Sequence, residues 1–145
     1  MTPAKPGLDL IKSFEKCRLQ AYLPTPKDVP TIGWGTTGPD IHMGLVWTQQ
    51  QADDRFAADV GRFAASVSAL VAGCPTTQNQ FDAMVSLAYN IGAQHFATST
   101  VLREHKLNIY RGAAKAFLLW TKQAGIVLNG LVRRRKAEAE LYLTL

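Results

Sequence analysis

The chain has 145 residues, of which 47% are hydrophobic and 19% are charged. A chain of this length can form one domain with its own core, and this composition excludes intrinsic disorder. The charge is uneven, because residues 103–145 carry nine Lys and Arg against three Asp and Glu, whereas residues 1–102 are nearly neutral. A basic C-terminal half favours an anionic partner.

The N-terminal part of the chain combines one helix with one hairpin. Apolar residues follow helical spacing over residues 8–14, so we predict a helix that ends near Glu15. Residues 18–23 are strand-like, residues 24–30 (PTPKDVP) form a Pro-rich turn, and residues 31–38 (TIGWGTTG) form a glycine-broken strand. We predict that this hairpin is the only β-structure in the chain.

Helix signals dominate from Thr48 onward. Two capping boxes, each a Thr followed three residues later by Gln, predict helices that begin after Thr48 and Thr77. Further helices are predicted over residues 101–106, 113–120 and 129–143. Trp120 falls on the apolar stripe of one of them and is predicted to lie in the core.

No repeat and no linker interrupts the chain. We therefore predict a single α+β domain over residues 1–145, mostly helical. In it a small N-terminal β-hairpin lobe, about residues 15–40, packs beside a helical bundle of residues 45–145.

The sequence carries no signal for a metal or a cofactor. The three His are far apart without ligand spacing, and no glycine-rich phosphate loop is present, so we expect neither. Cys17 and Cys74 are too few for a disulfide scaffold, and whether they pair stays open. The first residues lack the apolar run of a secretory signal, so we expect a protein without a membrane anchor that starts in the cytoplasm.

Glu15 and Thr31 are the candidates for chemistry that the predicted elements bring together. A carboxylic acid at the end of a helix beside a concave hairpin is partly withdrawn from water, and in its protonated form it can donate to a leaving group. The Thr31 hydroxyl, at the start of the second strand, can hold a water molecule. Spacing alone also fits a solvated Glu on a helix.

The residues around this pair resemble a known family. The stretch SFEKCRLQAYL followed by DVPTIGWGTT is similar to the N-terminal signature of the phage-type lysozymes, glycoside hydrolase family 24. TQNQFDAMVSLAYNIGA resembles the central helix of that family, and GAAKAFLLWTKQAG and GLVRRRKAEAELYL resemble its C-terminal helices. The resemblance covers nearly the whole chain in order, and it implies a lysozyme-like fold.

The resemblance implies an endolysin-type muramidase, which hydrolyses the β-1,4 bond between N-acetylmuramic acid and N-acetylglucosamine in peptidoglycan. It carries the family's catalytic Glu onto Glu15, as general acid, and the family's Thr onto Thr31. The family's Asp has no match, because the positions counted from Glu15 and from Thr31 are Pro24 and Thr25.

Asp28 is the only acid between Glu15 and Thr31, so we predict that it activates the water. The argument against this role is strand alternation, which would turn Asp28 away from Thr31 unless the Pro-containing turn breaks it. Thr25 is the alternative, as a residue that binds substrate or water. The family also usually has His where this chain has Thr36.

The rest of the predicted cleft comes from the resemblance. Tyr89 and Asn90 match positions that line the family's sugar cleft, and an Asn amide offers both a donor and an acceptor to a sugar. The resemblance further implies peptidoglycan as the partner, a monomer, and release from the host cytoplasm through a holin to act on the cell wall.

Two other functions remain open from the sequence. A lytic transglycosylase cleaves the same bond with one Glu and no Asp, which the missing family Asp permits. A non-catalytic basic protein would instead use Arg133–Lys136 to bind an anionic polymer, although no aromatic residues are interleaved with these cations as in single-strand binders. We therefore expect no nucleic-acid partner. The other interpretation of this run is that one or two of its Arg pair internally, as structural Arg do.

Overall fold

A computed structural model describes all 145 residues, in seven helices and two antiparallel hairpins. The helices are α1 (Lys5–Glu15), α2 (Gln49–Leu70), α3 (Gln78–Ile91), α4 (Ala93–Ala97), α5 (Thr100–Lys106), α6 (Tyr110–Ala116) and α7 (Asn129–Leu143). The strands are β1 (Arg18–Tyr22), β2 (Thr31–Gly33), β3 (Lys122–Gln123) and β4 (Ile126–Val127). This confirms the predicted α+β class with a small hairpin lobe beside helices.

The second hairpin corrects the prediction that β-structure is confined to the N-terminal part. Lys122 pairs with Val127 and Gln123 with Ile126. The turn between them is Ala124-Gly125, in which both residues have positive φ, 51° and 79°. A two-residue turn with positive φ at both positions matches the twist of a hairpin, so a short apolar pair after Ala-Gly is enough to form one.

The helix predicted over residues 113–120 is wrong at both ends. α6 begins at Tyr110 and ends at Ala116, and a 3₁₀ turn, Phe117–Leu119, follows it. Trp120 therefore lies beyond the helix. The short helix α4 was missing from the prediction, whereas α7 and both capping boxes are as predicted.

The centre of the helical lobe is α3. Its residues Gln80–Ala88 are buried without interruption. A helix that is buried on every side needs partners all round it. α1, α2 and α7 all pack against α3, and their buried residues belong to one continuous core.

The hairpin lobe has a small core of its own, made of Ala21, Ile32 and Ile41. It is tied to α2 by polar contacts. The Trp34 indole N–H donates to Asp53 at 2.9 Å, and the Thr36 hydroxyl donates to the buried Asp59 at 2.9 Å. These contacts hold the hairpin lobe against the helical lobe, with a cleft between them.

Two general features complete the fold. None of the helices combines the length and the apolar character that crossing a bilayer requires. Cys17 and Cys74 are both free thiols.

Candidate active site

A cleft of about 610 Å³ lies between the hairpin lobe and the helical lobe. It collects side chains from α1, the first hairpin, α3 and the second hairpin. Five of the six residues predicted for the site line it: Glu15, Asp28, Thr31, Tyr89 and Asn90. The chain brings these residues together from positions far apart in sequence.

Helix α1 places Glu15 at the cleft, because Glu15 is its last residue. The N-cap residue of α1, Ala4, has no side chain to cap the helix, and Asp82 of α3 does so instead by accepting from the Ala4 N–H at 3.2 Å. Gly7 of α1 lies so close to Asp82 that a Cβ there would overlap the carboxylate. Burial raises the pKa of Asp82. The start of α1 is therefore locked onto the central helix.

The Glu15 carboxyl group is held from two sides. Arg134 of α7 donates from Nη1 to Glu15 Oε1 at 2.5 Å, and the Glu15 side chain is 17% exposed. Its second oxygen, Oε2, lies against Gly35, where a Cβ would overlap it and where φ is 86°. Gly35 is therefore required both for its backbone conformation and for the room it leaves to Glu15.

Arg134 belongs to a buried ion network on α7. Its Nε donates to Glu138 Oε2 at 3.3 Å, and Arg135 Nε lies 2.7 Å from Glu138 Oε1. The Ser86 hydroxyl of α3 donates to Glu138 at 2.5 Å. Burial lowers the pKa of Arg135 to about 10 and raises that of Glu138, against the opposing effect of each partner charge.

This network decides between the two interpretations of Arg133–Lys136, because Arg134 and Arg135 pair internally. Arg134 and Arg135 are 3% and 0% exposed, so neither is available to an external polymer. Only Arg133 and Lys136 of the four face solvent. The hypothesis of a non-catalytic basic protein is weakened, because two of its four cations are buried.

Asp28 lies on the same cleft as Thr31, although they are three positions apart in the chain. Residues 24–30 form turns and bends rather than a strand, so strand alternation does not apply to Asp28. Asp28 is half-buried, and its Oδ1 accepts from the Val29 N–H at 3.2 Å. Thr31 is buried, and its hydroxyl donates to the Val29 carbonyl at 3.0 Å, which leaves its lone pairs free to accept.

Tyr22 of β1 lines the cleft together with Glu15 and Asp28. Burial raises the pKa of Tyr22, and the charges of Glu15 and Asp28 raise it further, while Arg18 opposes them. The phenol therefore stays protonated and lies near both acids.

Thr25 lies apart from the other predicted residues. It is exposed and lines an adjoining groove of about 510 Å³ between the turn and the second hairpin. Asp28 and Gln123 line both the groove and the cleft. The Thr25 carbonyl accepts from the Asp28 N–H at 3.0 Å, so Thr25 helps to shape the turn that carries Asp28.

Tyr89 and Asn90 differ in what they can do in the cleft. The Tyr89 hydroxyl donates to the Trp34 carbonyl at 2.5 Å, and its ring packs edge-on against Phe56 and Phe63. Burial raises the pKa of Tyr89. Asn90 is exposed at the cleft, with its amide open to a ligand.

The second hairpin and its flanks supply cleft residues that sequence reasoning missed. Trp120, predicted as core, packs against the core and also lines the cleft, beside the His95 ring with centroids 5.8 Å apart. Lys122 and Gln123 of β3 line it too. Ala-Gly followed by two β-branched residues was the available signal for this hairpin, and the four-residue spacing of Arg134 and Glu138 was the signal for the buried pair.

Comparison with known proteins identifies the family. The family model described as phage lysozyme matches residues 12–138. The endolysin of Bacillus phage B103 is 41% identical over 145 residues, which cover 99% of this chain but 55% of that protein. The chain thus spans little more than half of that relative.

Solved structures give the same result. The endolysin from Escherichia coli O157:H7 phage FAHEc1 superposes with a TM-score of 0.87 at 40% identity, over 99% of this chain and 94% of that one. The muramidase domain of SpmX from Asticaccaulis excentricus also gives a TM-score of 0.87, at 39% identity over 98% and 97% of the two chains. With a cleft that unites Glu15, Asp28 and Thr31, this chain belongs to the phage lysozyme family.

Proposed function

We propose that the protein is an endolysin-type muramidase that hydrolyses the β-1,4 bond between N-acetylmuramic acid and N-acetylglucosamine in bacterial peptidoglycan. The observation that carries this proposal is the Glu15 carboxyl group, fixed by Arg134 at one oxygen and lying in the cleft with Asp28 and Thr31. The relatives named endolysin and muramidase domain support it.

In this mechanism Glu15 is the general acid. Arg134 occupies Oε1, so Oε2 is the oxygen from which a proton passes to the glycosidic oxygen as the bond breaks. The oxocarbenium-like carbon that forms must be attacked by water.

Asp28 and Thr31 are the groups proposed to place that water. Asp28 accepts its proton, and the Thr31 hydroxyl oxygen holds the water by accepting from it, because its own proton is donated to Val29. Tyr89 keeps the β2 end of the hairpin in place through the Trp34 carbonyl. Asn90 is proposed to bind the N-acetyl and hydroxyl groups of the sugar.

The test is cleavage of purified peptidoglycan by the wild type and by Glu15→Gln, followed as loss of turbidity. We expect a loss of about 10²–10⁴-fold, because the amide cannot donate the proton although it still accepts from Arg134. Glu140→Gln is the matched control, since Glu140 is an exposed carboxylate on α7 and should leave the rate unchanged. Retention of more than about a tenth of the activity by Glu15→Gln would remove Glu15 from this role.

The cellular setting is a further part of the proposal. We expect a monomer that lies in the host cytoplasm until a holin opens the membrane, and that then acts on the cell wall. Light scattering tests the monomer. Lysis of cells that express the chain with and without a holin tests the route, and lysis at equal rates without one would contradict it.

A further inference from the structure

Glu138 is a buried acid that takes no direct part in the proposed reaction. It is fully buried on α7, and its two oxygens face Arg134, Arg135 and the Ser86 hydroxyl. A carboxylate in such a place carries a large desolvation cost, which its partners must offset. Arg135 Nη1, also buried, has no hydrogen-bond partner in the chain.

The position of Glu138 relative to Glu15 suggests what it does. Arg134 lies between the two acids, with Nη1 on Glu15 at 2.5 Å and Nε on Glu138 at 3.3 Å. Its remaining group, Nη2, donates to the Ser86 carbonyl at 3.2 Å. The guanidinium plane is thus fixed at three places, and the direction of the hydrogen bond to Glu15 is fixed with it.

The charges around Glu15 matter as much as the direction of its hydrogen bond to Arg134. A guanidinium beside a carboxyl group favours the ionised form, which cannot act as a general acid. Here two guanidiniums are balanced by two carboxylates, Glu15 and Glu138. Without the charge of Glu138, Glu15 would face the positive charge of both Arg134 and Arg135 alone.

We propose that Glu138 is a positioning residue of the acid: it fixes the Arg134 guanidinium and shares its charge, so that Glu15 is oriented and still takes up the proton it must donate. This inference rests on the proposed function, because it assumes that Glu15 is the acid. The inference goes beyond the proposed function, because it assigns a role to a residue that never touches the substrate.

Other charged or ionisable groups also face Glu15 and belong in the account. They are the phenol of Tyr22 from β1, the phenol of Tyr89 from α3, the guanidiniums of Arg134 and Arg135 from α7, and the carboxylate of Asp28 across the cleft. Both phenols have pKa values raised by burial, so they carry no charge near neutral pH. The charged groups around Glu15 are therefore the two guanidiniums and the carboxylates.

The experiment is the pH profile of kcat on purified peptidoglycan for two variants with opposite changes of charge. In Glu138→Gln the alkaline limb should move to lower pH by about one unit or more, because the guanidinium charge is no longer shared. In Arg135→Met the limb should move to higher pH, because a positive charge near Glu15 is removed. Glu140→Gln, on the exposed face of the same helix, should leave the profile unchanged.

Opposite shifts of the alkaline limb in the two variants would show that the charges of Glu138 and Arg135 act on Glu15. A general loss of stability would instead lower kcat in both variants without shifting the pH profile of either. A folded Glu138→Gln with an unshifted alkaline limb would overturn the inference. If Glu138→Gln does not fold, Arg135→Met is the decisive variant. An unshifted alkaline limb in Arg135→Met would then overturn the inference. The proposed function has its own test, since an active Glu15→Gln variant would contradict it whatever the result for Glu138.

Discussion

The two walls of the cleft hold their acids in different ways. On the helical wall, Glu15 is fixed by Arg134, a residue 119 positions away in the chain, and behind it lies the buried Glu138. On the hairpin wall, Asp28 is held by its own turn, through Thr25 and Val29. One acid depends on the packing of the whole domain, and the other depends on a few neighbouring residues.

This difference has a physical consequence. Contacts that fix Glu15 are also contacts that stabilise α1, α3 and α7, so substitutions behind Glu15 should affect folding. Contacts that fix Asp28 are local and half-exposed, so substitutions there should affect activity alone. The predictions below separate the two walls on this basis.

The largest effect on stability is expected for Arg134→Met. It leaves Glu138 with one guanidinium and removes the hydrogen bond to Glu15, and breaking a buried pair from one side costs about 3–5 kcal/mol. Arg133→Met, at the exposed neighbouring position, should change the free energy of unfolding by no more than about 0.5 kcal/mol. Urea denaturation of both variants measures this, and equal stability of the two would contradict the buried network.

Asp28→Asn should show the opposite behaviour. We expect activity to fall at least about tenfold, since the amide cannot accept the proton of water, while the free energy of unfolding changes little. Asp54→Asn is the control, because Asp54 is an exposed carboxylate on α2. Turbidity loss and thermal unfolding are the two measurements.

A different outcome on the hairpin wall would assign the placing of the water to the Thr residues instead of Asp28. If Asp28→Asn lyses like the wild type, whereas Thr25→Val or Thr31→Val loses activity, Asp28 is only a turn residue. Because Thr31 lines the cleft and Thr25 the adjoining groove, the larger loss is expected for Thr31→Val.

The smallest effect concerns the exposed cations of the helical wall. Seven of the nine Lys and Arg in residues 103–145 are exposed, so activity on the anionic wall should fall as salt rises, because exposed charges are screened within about 10 Å at moderate ionic strength. Replacing Arg133 and Lys136 by Gln should weaken this salt dependence without a loss of stability. A flat response of the wild type to salt would show that these charges do not assist binding.

Much of the fold could be predicted from sequence because its signals are local. The capping boxes at Thr48 and Thr77 and the apolar spacing of α1 act within one or two helical turns. The second hairpin depends on two residues with positive φ, Ala124 and Gly125, and Ala-Gly before two β-branched residues is a much weaker signal than a capping box.

The site was predictable in part, for the same reason. The end of α1 at Glu15 indicated a residue of the helical wall, and the motif around Thr31 indicated the hairpin wall. Internal pairing within RRRK could be expected, but which Arg are buried could not, because a run of cations is usually solvated and two of the partners, Glu15 and Ser86, lie on other helices. Trp120 packs against the core as predicted but also reaches the cleft, because its segment ends in a 3₁₀ turn rather than a helix.

The most direct test of the proposed reaction is the structure of the product formed in water labelled with heavy oxygen. Hydrolysis by Glu15 and a water placed by Asp28 and Thr31 predicts muropeptides with a reducing N-acetylmuramic acid end that carries one labelled oxygen, as read by mass spectrometry. Unlabelled anhydro-muropeptides would contradict this account, because they form when the muramic hydroxyl rather than water attacks, and they would identify a lytic transglycosylase.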